Sequence, residues 1–335
     1  MRFSSFRVGL ALVAAASVRV SAQVSDVTPP QLQAVAISPT SVDVSASSKT
    51  VTVDMGVTDN LSGVDTVIAI LVAPNGTMAQ SRATSLDGYT YRATITIPRY
   101  AANGTWLLRI TLVDGVNNRA VIGSNVLQSR GLPFSISVAS SPVDVTPPVP
   151  VGISFSPSTV DVSTQAQDVT VQIRVNDDLS GVVVDPTIFT GFTLVVQSPV
   201  GQQIRLYNVD FAVTGTPLAS IWQATFQVPH YADAAAWQIV QLRVTDAAGN
   251  DRFLSAADLA NLGVAPQLIV TSTISDRTAP TLAGFSFSPT VINTALGPQV
   301  VHVKLDIRDD LAGVSFAGRT LFNRLFFTSP SGQSV

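Results

Sequence analysis

A repeat of more than 100 residues organises this chain. The phrase Asp-Val-Thr-Pro-Pro at residues 26–30 returns at residues 144–148, and a looser copy, Asp-Arg-Thr-Ala-Pro, lies at residues 276–280. The three copies start 118 and 132 residues apart. Solenoid repeats are far shorter, so this spacing predicts whole domains joined in tandem. We divide the chain into a first unit (residues 23–143), a second unit (144–275) and a third unit (276–335).

Each unit contains a strand-like run that leads into a turn of the pattern Asp-x-Leu-Ser/Ala-Gly-Val. In the first unit the apolar residues at 51, 53, 55 and 57 alternate with polar ones, and the turn follows at residues 59–64. The second and third units repeat this run at residues 169–175 and 301–307. A period of two is typical of a strand with one buried face.

Further strand-like runs lie at residues 66–72, 89–97, 106–113 and 134–138, with turn residues between them. Several short strands in so short a span predict an antiparallel β-sandwich of immunoglobulin type. Residues 255–263 differ, because a serine, an alanine-leucine body and a final glycine predict one or two helical turns. The predicted fold class is all-β: tandem immunoglobulin-like antiparallel β-sandwiches, with the third one truncated.

The truncation follows from the alignment of the units. The last residues of the third unit, 328–333, match residues 197–202 in the middle of the second unit. A half-sandwich has an open sheet edge and an uncovered apolar face, where we expect Phe322, Phe326 and Phe327. Such an edge could pair with a second chain by strand exchange, and the sequence leaves the oligomeric state open.

Composition narrows the classes of protein further. All 22 acidic residues are aspartate, only two of the 19 basic residues are lysine, and there is no cysteine. A chain this poor in glutamate and lysine is not typical of long surface helices or coiled coils. Without cysteine it forms neither disulfides nor zinc–cysteine sites.

Residues 1–22 have the pattern of a secretory signal peptide. Arg2 and Arg7 precede an apolar run at residues 8–18, and small residues lie before Gln23. That run is too short to cross a bilayer, which takes about 20 apolar residues, and no later stretch predicts a transmembrane segment. Removing the peptide leaves 16 basic and 22 acidic residues, a net charge of −6, which argues against nucleic acid as a partner. We expect a protein that is secreted or displayed at the cell surface.

The linker phrase, the Asp-x-Leu-Ser-Gly-Val turn and the phrase Asp-Ala-Ala-Gly-Asn at residues 246–250 resemble the immunoglobulin-like repeats of bacterial secreted and cell-surface proteins. Those repeats occur in adhesins and as accessory modules of secreted hydrolases. The resemblance covers residues 26–335, and the first unit departs from it at residues 114–118, which read Asp-Gly-Val-Asn-Asn. Calcium at the domain junctions, as in some such adhesins, is what this resemblance implies.

Acidic residues recur at equivalent positions of the units and form the candidate metal site. Calcium takes six to eight oxygen ligands, which loops meeting at a junction could supply. In the alternative interpretation, aspartate and asparagine only form turns by bonding to their own backbone, and we favour it for the Asp-x-Leu-Ser-Gly turns. No other cofactor is predicted, and an EF-hand is excluded because no loop has its pattern. The candidate ligands are the linker aspartates Asp26, Asp144 and Asp276, the turn residues Asp59, Asp177 and Asp178, and the loop residues Asp114, Asp246 and Asn250.

Nothing in the sequence predicts catalysis. The acids recur with each unit, as a structural role requires, and the two histidines, His230 and His302, align with other residue types in the other units. The aromatic residues Trp106 and Trp237 occupy matching positions, as do Tyr91 and Trp222, and matching positions predict core residues. A carbohydrate-binding module would instead need Trp222 or Tyr231 to be exposed.

The sequence thus predicts a non-catalytic extracellular stalk or spacer, structural or adhesive, whose ligand would be an extracellular protein or carbohydrate. Prolines would hold successive units in line, and calcium would stiffen the junctions. The alternative is an accessory region, binding carbohydrate or a partner, of a secreted hydrolase whose catalytic domain lies outside this chain.

Overall fold

The structure is a computed structural model that describes residues 25–183, 191–294, 297–314, 325–330 and 332–333. The predicted signal peptide at residues 1–22 and the predicted face residue Phe322 lie outside the described residues. Among the helices that are described, none combines the length and the apolar character that crossing a membrane would take.

Ten strands and one short helix make up the first unit. They are β1 (Gln31–Ser38), β2 (Ser41–Asp43), β3 (Lys49–Thr58), β4 (Val64–Val72), β5 (Met78–Arg82), β6 (Thr84–Ser85), β7 (Thr90–Ile97), β8 (Gly104–Asp114), β9 (Arg119–Ile122), α1 (Ser124–Ser129) and β10 (Ser135–Ala139). One sheet has the order β1-β3-β7-β6, and the other has the order β2-β10-β8-β4-β5, with β9 also paired to β8. All pairs are antiparallel except β2 with β10.

The second unit repeats this topology. Its elements are β11 (Val149–Ser156), β12 (Thr159–Asp161), β13 (Gln167–Asn176), β14 (Phe192–Gln197), β15 (Gln203–Tyr207), a 3-10 turn (Asn208–Asp210), β16 (Ala212–Thr216), β17 (Ala219–Val228), β18 (Ala236–Thr245), β19 (Asp251–Ser255), α2 (Ala256–Asn261) and β20 (Gln267–Thr271). The sheet orders are β11-β13-β17-β16 and β12-β20-β18-β14-β15, with β19 paired to β18. The prediction of an all-β fold made of β-sandwiches is confirmed.

The hydrophobic alternation produces two separate cores. Val51, Val53 and Met55 on β3 are fully buried in the first unit, and the equivalent residues of β13 are fully buried in the second. Each core cluster is drawn from one unit only. Trp106 and Trp237 are buried at matching positions, and each indole N–H donates to a backbone carbonyl at 2.9 Å. Because the cores are separate, each sandwich buries its own apolar residues.

The helix prediction was right for the second unit and incomplete for the first. Helix α2 begins with Ser255, whose side chain accepts from the Asp258 N–H, and Gly263 follows with φ of 70°. Helix α1 occupies the matching place, but its N-cap is Gly123 and makes no side-chain cap bond. Without a capping residue the first helix gave no recognisable start signal.

The third unit is described as a two-stranded antiparallel sheet, β21 (Thr281–Ser288) and β22 (His302–Arg308), with further residues at 325–330. Phe287 packs edge-on against Phe327, with ring centroids 5.4 Å apart. Leu305 is 44% exposed, whereas the equivalent residues Met55 on β3 and Ile173 on β13 are fully buried, and Phe326 is 61% exposed. The alternation of apolar and polar residues is enough to form the strand, but its apolar side chains are buried only where an opposing sheet covers them.

The units are not arranged in a straight line, contrary to the expectation from the proline-containing linkers. Gln333 of the third unit donates from Nε2 to the carbonyl oxygen of Asp26 at 2.6 Å. The same nitrogen lies 3.0 Å from Oδ1 of Asn118, also in the first unit. Prolines restrict only their own and the preceding residue, so they do not fix the angle between units.

Candidate metal centre at the unit junctions

The linker aspartate Asp144 is hydrogen-bonded to both units that it joins. Its backbone N–H donates to the carbonyl of Tyr100 in the first unit at 2.9 Å. Its carboxylate accepts from the Ser180 N–H of the second unit at 2.8 Å and from the Thr146 N–H at 3.1 Å. One residue therefore connects the end of the first sandwich to a turn of the second.

The junction between the second and third units repeats these contacts. The Asp276 N–H donates to the Tyr231 carbonyl at 2.8 Å, and its carboxylate accepts from the Ala312 N–H at 2.8 Å. Tyr100 and Tyr231 both have a backbone φ of 66°. This value lies in the left-handed region, which residues other than glycine seldom adopt. The same unusual backbone thus presents a carbonyl to the linker at both junctions.

The turn aspartates hold the Asp-x-Leu-Ser/Ala-Gly turns through their own backbone, as the turn-forming interpretation predicts. Oδ2 of Asp177 accepts from the N–H groups of Leu179 (3.1 Å) and Gly181 (2.6 Å). Asp59 makes the same two bonds, at 3.0 and 2.8 Å. The glycine of the turn has φ of 80° in the first unit and 85° in the second, which explains why glycine recurs there.

The loop acids are tied to the linkers by an asparagine. Asn250 donates its backbone N–H and its side-chain Nδ2 to the two carboxylate oxygens of Asp246, both at 2.7 Å. The same Nδ2 lies 3.2 Å from the Asp144 carbonyl. In the first unit Asn118 takes this role with Asp114 and Asp26, although its loop sequence differs.

These contacts bring seven of the nine predicted ligands together as one cluster per unit, not as a single site. The third cluster also contains Asp309 and Asp310, which were not among the predicted ligands. In each cluster, carboxylate oxygens from three aspartates lie within 4.8 Å of one another. Asp246 and Asn250 adjoin the second cluster through the bond from Asn250 to Asp144. The three clusters are Asp26, Asp59 and Asp114; Asp144, Asp177 and Asp178; and Asp276, Asp309 and Asp310.

The acidic residues at the second cluster range from buried to exposed: Asp144 and the adjoining Asp246 are buried, Asp177 is half-buried and Asp178 is exposed. Asp144 and Asp246 are only 2% and 1% exposed. Burial, with the neighbouring charges of Asp144 and Asp177 as a smaller cause, raises the pKa of Asp246 to about 7. Burial likewise raises the pKa of Asp177. None of the ion pairs among the described residues includes a carboxylate of this cluster.

Two turn aspartates also have an oxygen without a hydrogen-bond partner. Oδ1 of Asp59 and Oδ1 of Asp177 are buried atoms with no donor in reach, although Oδ2 of each holds its turn. A buried carboxylate oxygen without a donor is costly. Because the same atom is unpaired in two units, the arrangement is a property of the repeat. A cation is one species that would satisfy such an oxygen.

Two aromatic residues, Trp222 and Tyr231, bear on the carbohydrate-binding alternative. Trp222 is 1% exposed and stacks on Phe192, with ring centroids 4.1 Å apart, so its assignment to the core is confirmed. Tyr231 is half-buried, and its ring stacks on His230 at 3.5 Å between centroids. His230 in turn contacts the Ser163 carbonyl at 3.1 Å. Of the two residues either of which a carbohydrate-binding module would need exposed, Trp222 is therefore buried and Tyr231 is half-buried.

Comparison with known families finds a match to one part of the chain. The model of a domain of unknown function (DUF7034) matches residues 30–142, which contain the strands of the first unit. No curated protein sequence matches the chain.

Proposed function

We propose that this chain is a non-catalytic extracellular spacer, structural or adhesive, whose junctions are stiffened by calcium. The observation that carries the proposal is the linker aspartate, which is hydrogen-bonded to the preceding unit through its N–H and to the following unit through its carboxylate. Export rests on the signal-peptide pattern at residues 1–22, and the resemblance to bacterial immunoglobulin-like repeats supports the extracellular role.

Bonds on both sides of one residue limit bending at a junction. For the second unit to rotate freely about the linker, Asp144 would have to release either the Tyr100 carbonyl or the Ser180 N–H. The released group and the Asp144 atom that bound it would both need new partners, and an unpaired buried polar group costs roughly 1–3 kcal/mol. The proline residues that follow remove further backbone freedom. A spacer built this way keeps neighbouring units at a set angle.

The donor set of the second cluster fits calcium. It offers the carboxylates of Asp144, Asp177 and Asp178, and the free Oδ1 of Asp177 lies among buried atoms. Calcium prefers oxygen ligands of this kind and tolerates irregular geometry. Bound there, the ion would offset the mutual repulsion of the acids. Since Asp144 belongs to the linker and Asp177 to the turn, binding would also strengthen the connection between them.

The stiffness of the junction is measurable because the chain has no cysteine of its own. Cysteines introduced at the exposed positions Val121 in the first unit and Phe253 in the second would carry spin labels. We expect a narrow distance distribution with calcium, and a broad one in Asp144→Ala. Asp87→Ala is the matched control, since Asp87 also accepts backbone N–H bonds but lies in an exposed turn of the first unit. A broad distribution in the unaltered protein would contradict the proposal.

A further inference from the structure

One turn recurs in all three units and ends with a residue that faces the neighbouring unit. In the second unit the Ser198 N–H donates to the Gln202 carbonyl at 3.0 Å, and in the third the Ser329 N–H donates to the Gln333 carbonyl at 2.8 Å. The first unit closes the same turn between Ala73 and Thr77, at 2.9 Å. We call this feature the glycine turn, after the glycine at 76, 201 or 332, which has positive φ each time.

The glycine turn meets the linker end of the following unit. Gln202 donates from Nε2 to the Asp276 carbonyl, and its Oε1 accepts from the Asp233 N–H at 2.8 Å. At the first junction Thr77 takes the equivalent place and lies beside Gly249, where an added Cβ would be 3.4 Å from the Thr77 Cβ. Both covalent junctions are therefore made by one turn of the preceding unit against the linker or acidic loop of the next.

The third unit makes the same contact with the first, although no linker joins them. Gln333 is the counterpart of Gln202, and Asp26 is the counterpart of Asp276. Gln333 donates from Nε2 to the Asp26 carbonyl at 2.6 Å, just as Gln202 does to Asp276. The contact is extended by Asn118, whose Oδ1 lies 3.0 Å from the same nitrogen. The two contacts match in donor, acceptor and position in the repeat.

The chemistry of the acceptor explains why glutamine is the donor. The Asp26 carbonyl already accepts from Nδ2 of Asn118 at 3.3 Å, and a carbonyl oxygen has two lone pairs. The amide of Gln333 supplies the second bond and has another N–H for Oδ1 of Asn118. Threonine, the equivalent residue of the first unit, has a single hydroxyl on a shorter side chain. The linker end of the first unit is therefore complementary to a glycine turn that ends in glutamine.

We propose that the linker end of the first unit, formed by Asp26 and Asn118, is a docking site for the glycine turn of the third unit of the same chain. The contact closes the three units head to tail. Tethering through the second unit gives the two surfaces a high effective concentration, which favours closure within a chain. The same surfaces on separate molecules would instead join copies in a head-to-tail series. The contact uses the backbone carbonyl of Asp26, whereas the carboxylate of Asp26 belongs to the first cluster. The proposal does not rest on the proposed spacer role.

Distance measurements on the whole chain test closure. Spin labels are placed on cysteines at Val121 in the first unit and Phe326 in the third, both exposed. We expect a short, narrow main distance that does not change when labelled protein is diluted with unlabelled protein. In the variant Gln333→Glu the side chain keeps its shape, but its carboxylate has no N–H to donate to the Asp26 carbonyl and to Oδ1 of Asn118. The short distance should therefore disappear from the distribution of this variant. Gln299→Glu, the same change at an exposed residue, should keep it.

Three results would overturn the proposal. The first is a wild-type chain without the short distance. The second is a short distance that disappears on dilution with unlabelled protein, which would place the contact between copies. The third is a Gln333→Glu variant that keeps the wild-type distribution. Closure and the proposed spacer role fail separately, because the Val121–Phe253 measurement reports only on the junction between the first two units.

Discussion

The first and second units hold their acidic clusters on the same framework but with different charge. In each unit the linker aspartate accepts from the turn N–H at position 62 or 180, and the linker threonine donates to the second residue of the turn. That second residue is Asn60 in the first unit and Asp178 in the second. The hydrogen bonds that build the turn are thus indifferent to the charge at this position.

The comparison separates two roles of the acidic residues. Those that accept backbone N–H groups, such as Asp26 and Asp144, are needed for the shape of the junction. The additional charge of Asp178 is not needed for that shape. This charge and the raised pKa of Asp246 mean that keeping the carboxylates of the second unit ionised costs more free energy than in the first unit. The second unit is therefore the one in which we expect a cation to matter most.

The largest expected effect tests whether the two units are independent enough to be compared. Trp222→Ala removes a buried ring that stacks on Phe192, and such core truncations cost about 3–5 kcal/mol. The separate cores predict that only the second unit loses stability. Trp106 fluorescence would follow urea unfolding of the first unit, and Trp237→Phe would remove the remaining signal of the second. A shift in the Trp106 transition would show that the units do not unfold independently.

The second prediction concerns pH. The pKa of Asp246 is about 7 in the folded protein and near 3.8 in the unfolded chain, so between these values the folded state binds more protons. Without calcium, the stability of the second unit should therefore fall as pH rises from 5 to 7.5, by roughly 2–3 kcal/mol. Urea unfolding in a Trp106→Phe background, with chelator, measures this. Stability that rises over this range would contradict the assignment.

The third prediction uses the unpaired oxygen of Asp177. Asp177→Asn retains an oxygen for the Leu179 and Gly181 N–H groups, removes one charge and puts an N–H donor where Oδ1 has no partner. It should raise the stability of the calcium-free second unit by about 1 kcal/mol at pH 7.5 and reduce any stabilisation by calcium. Asp168→Asn, at an exposed strand position, is the control. A destabilised calcium-free variant would mean that the charge itself is structural.

The smallest effect is expected from making the first cluster resemble the second. Asn60→Asp keeps the oxygen that accepts from the Thr28 hydroxyl at 2.7 Å and adds a charge beside Asp26 and Asp59. We expect stability in chelator to fall by a few tenths of a kcal/mol, and calcium to stabilise the first unit more than before. The Trp106 transition reports both. An unchanged response to calcium would remove position 60 from the proposed site.

Much of the framework could be predicted from the sequence, because it depends on local patterns. The alternation in residues 51–57 predicts β3, and the capped segment at residues 255–263 predicts α2. Short edge strands such as β6 and β9 gave no such signal, since pairing with a neighbour and not their own composition defines them. Sequence spacing identified seven of the nine aspartates that cluster, because each belongs to a repeated turn, loop or linker, but Asp309 and Asp310 of the third unit were not among the predicted ligands.

Other parts of the site depend on contacts between distant residues. The carbonyl of Tyr100 could not be assigned to the linker from sequence, because a backbone conformation with φ of 66° at tyrosine has no sequence signature. The bridging role of Asn118 depends on contact with Asp26, 92 residues away. The contact of Gln333 with the first unit likewise depends on the placement of whole units, which residue patterns do not encode.

The most direct test of the proposed junction is the stability of the second unit with and without calcium. In a Trp106→Phe background at pH 7.5, urea unfolding would be followed by fluorescence with 1 mM calcium, with chelator, and with magnesium as a comparison. An ion that binds only the folded state at 100 times its Kd stabilises by about 2.7 kcal/mol. We predict a clear rise with calcium that Asp177→Asn reduces. Equal stability in calcium and chelator would contradict a calcium-stiffened junction and leave the aspartates as turn and linker residues only.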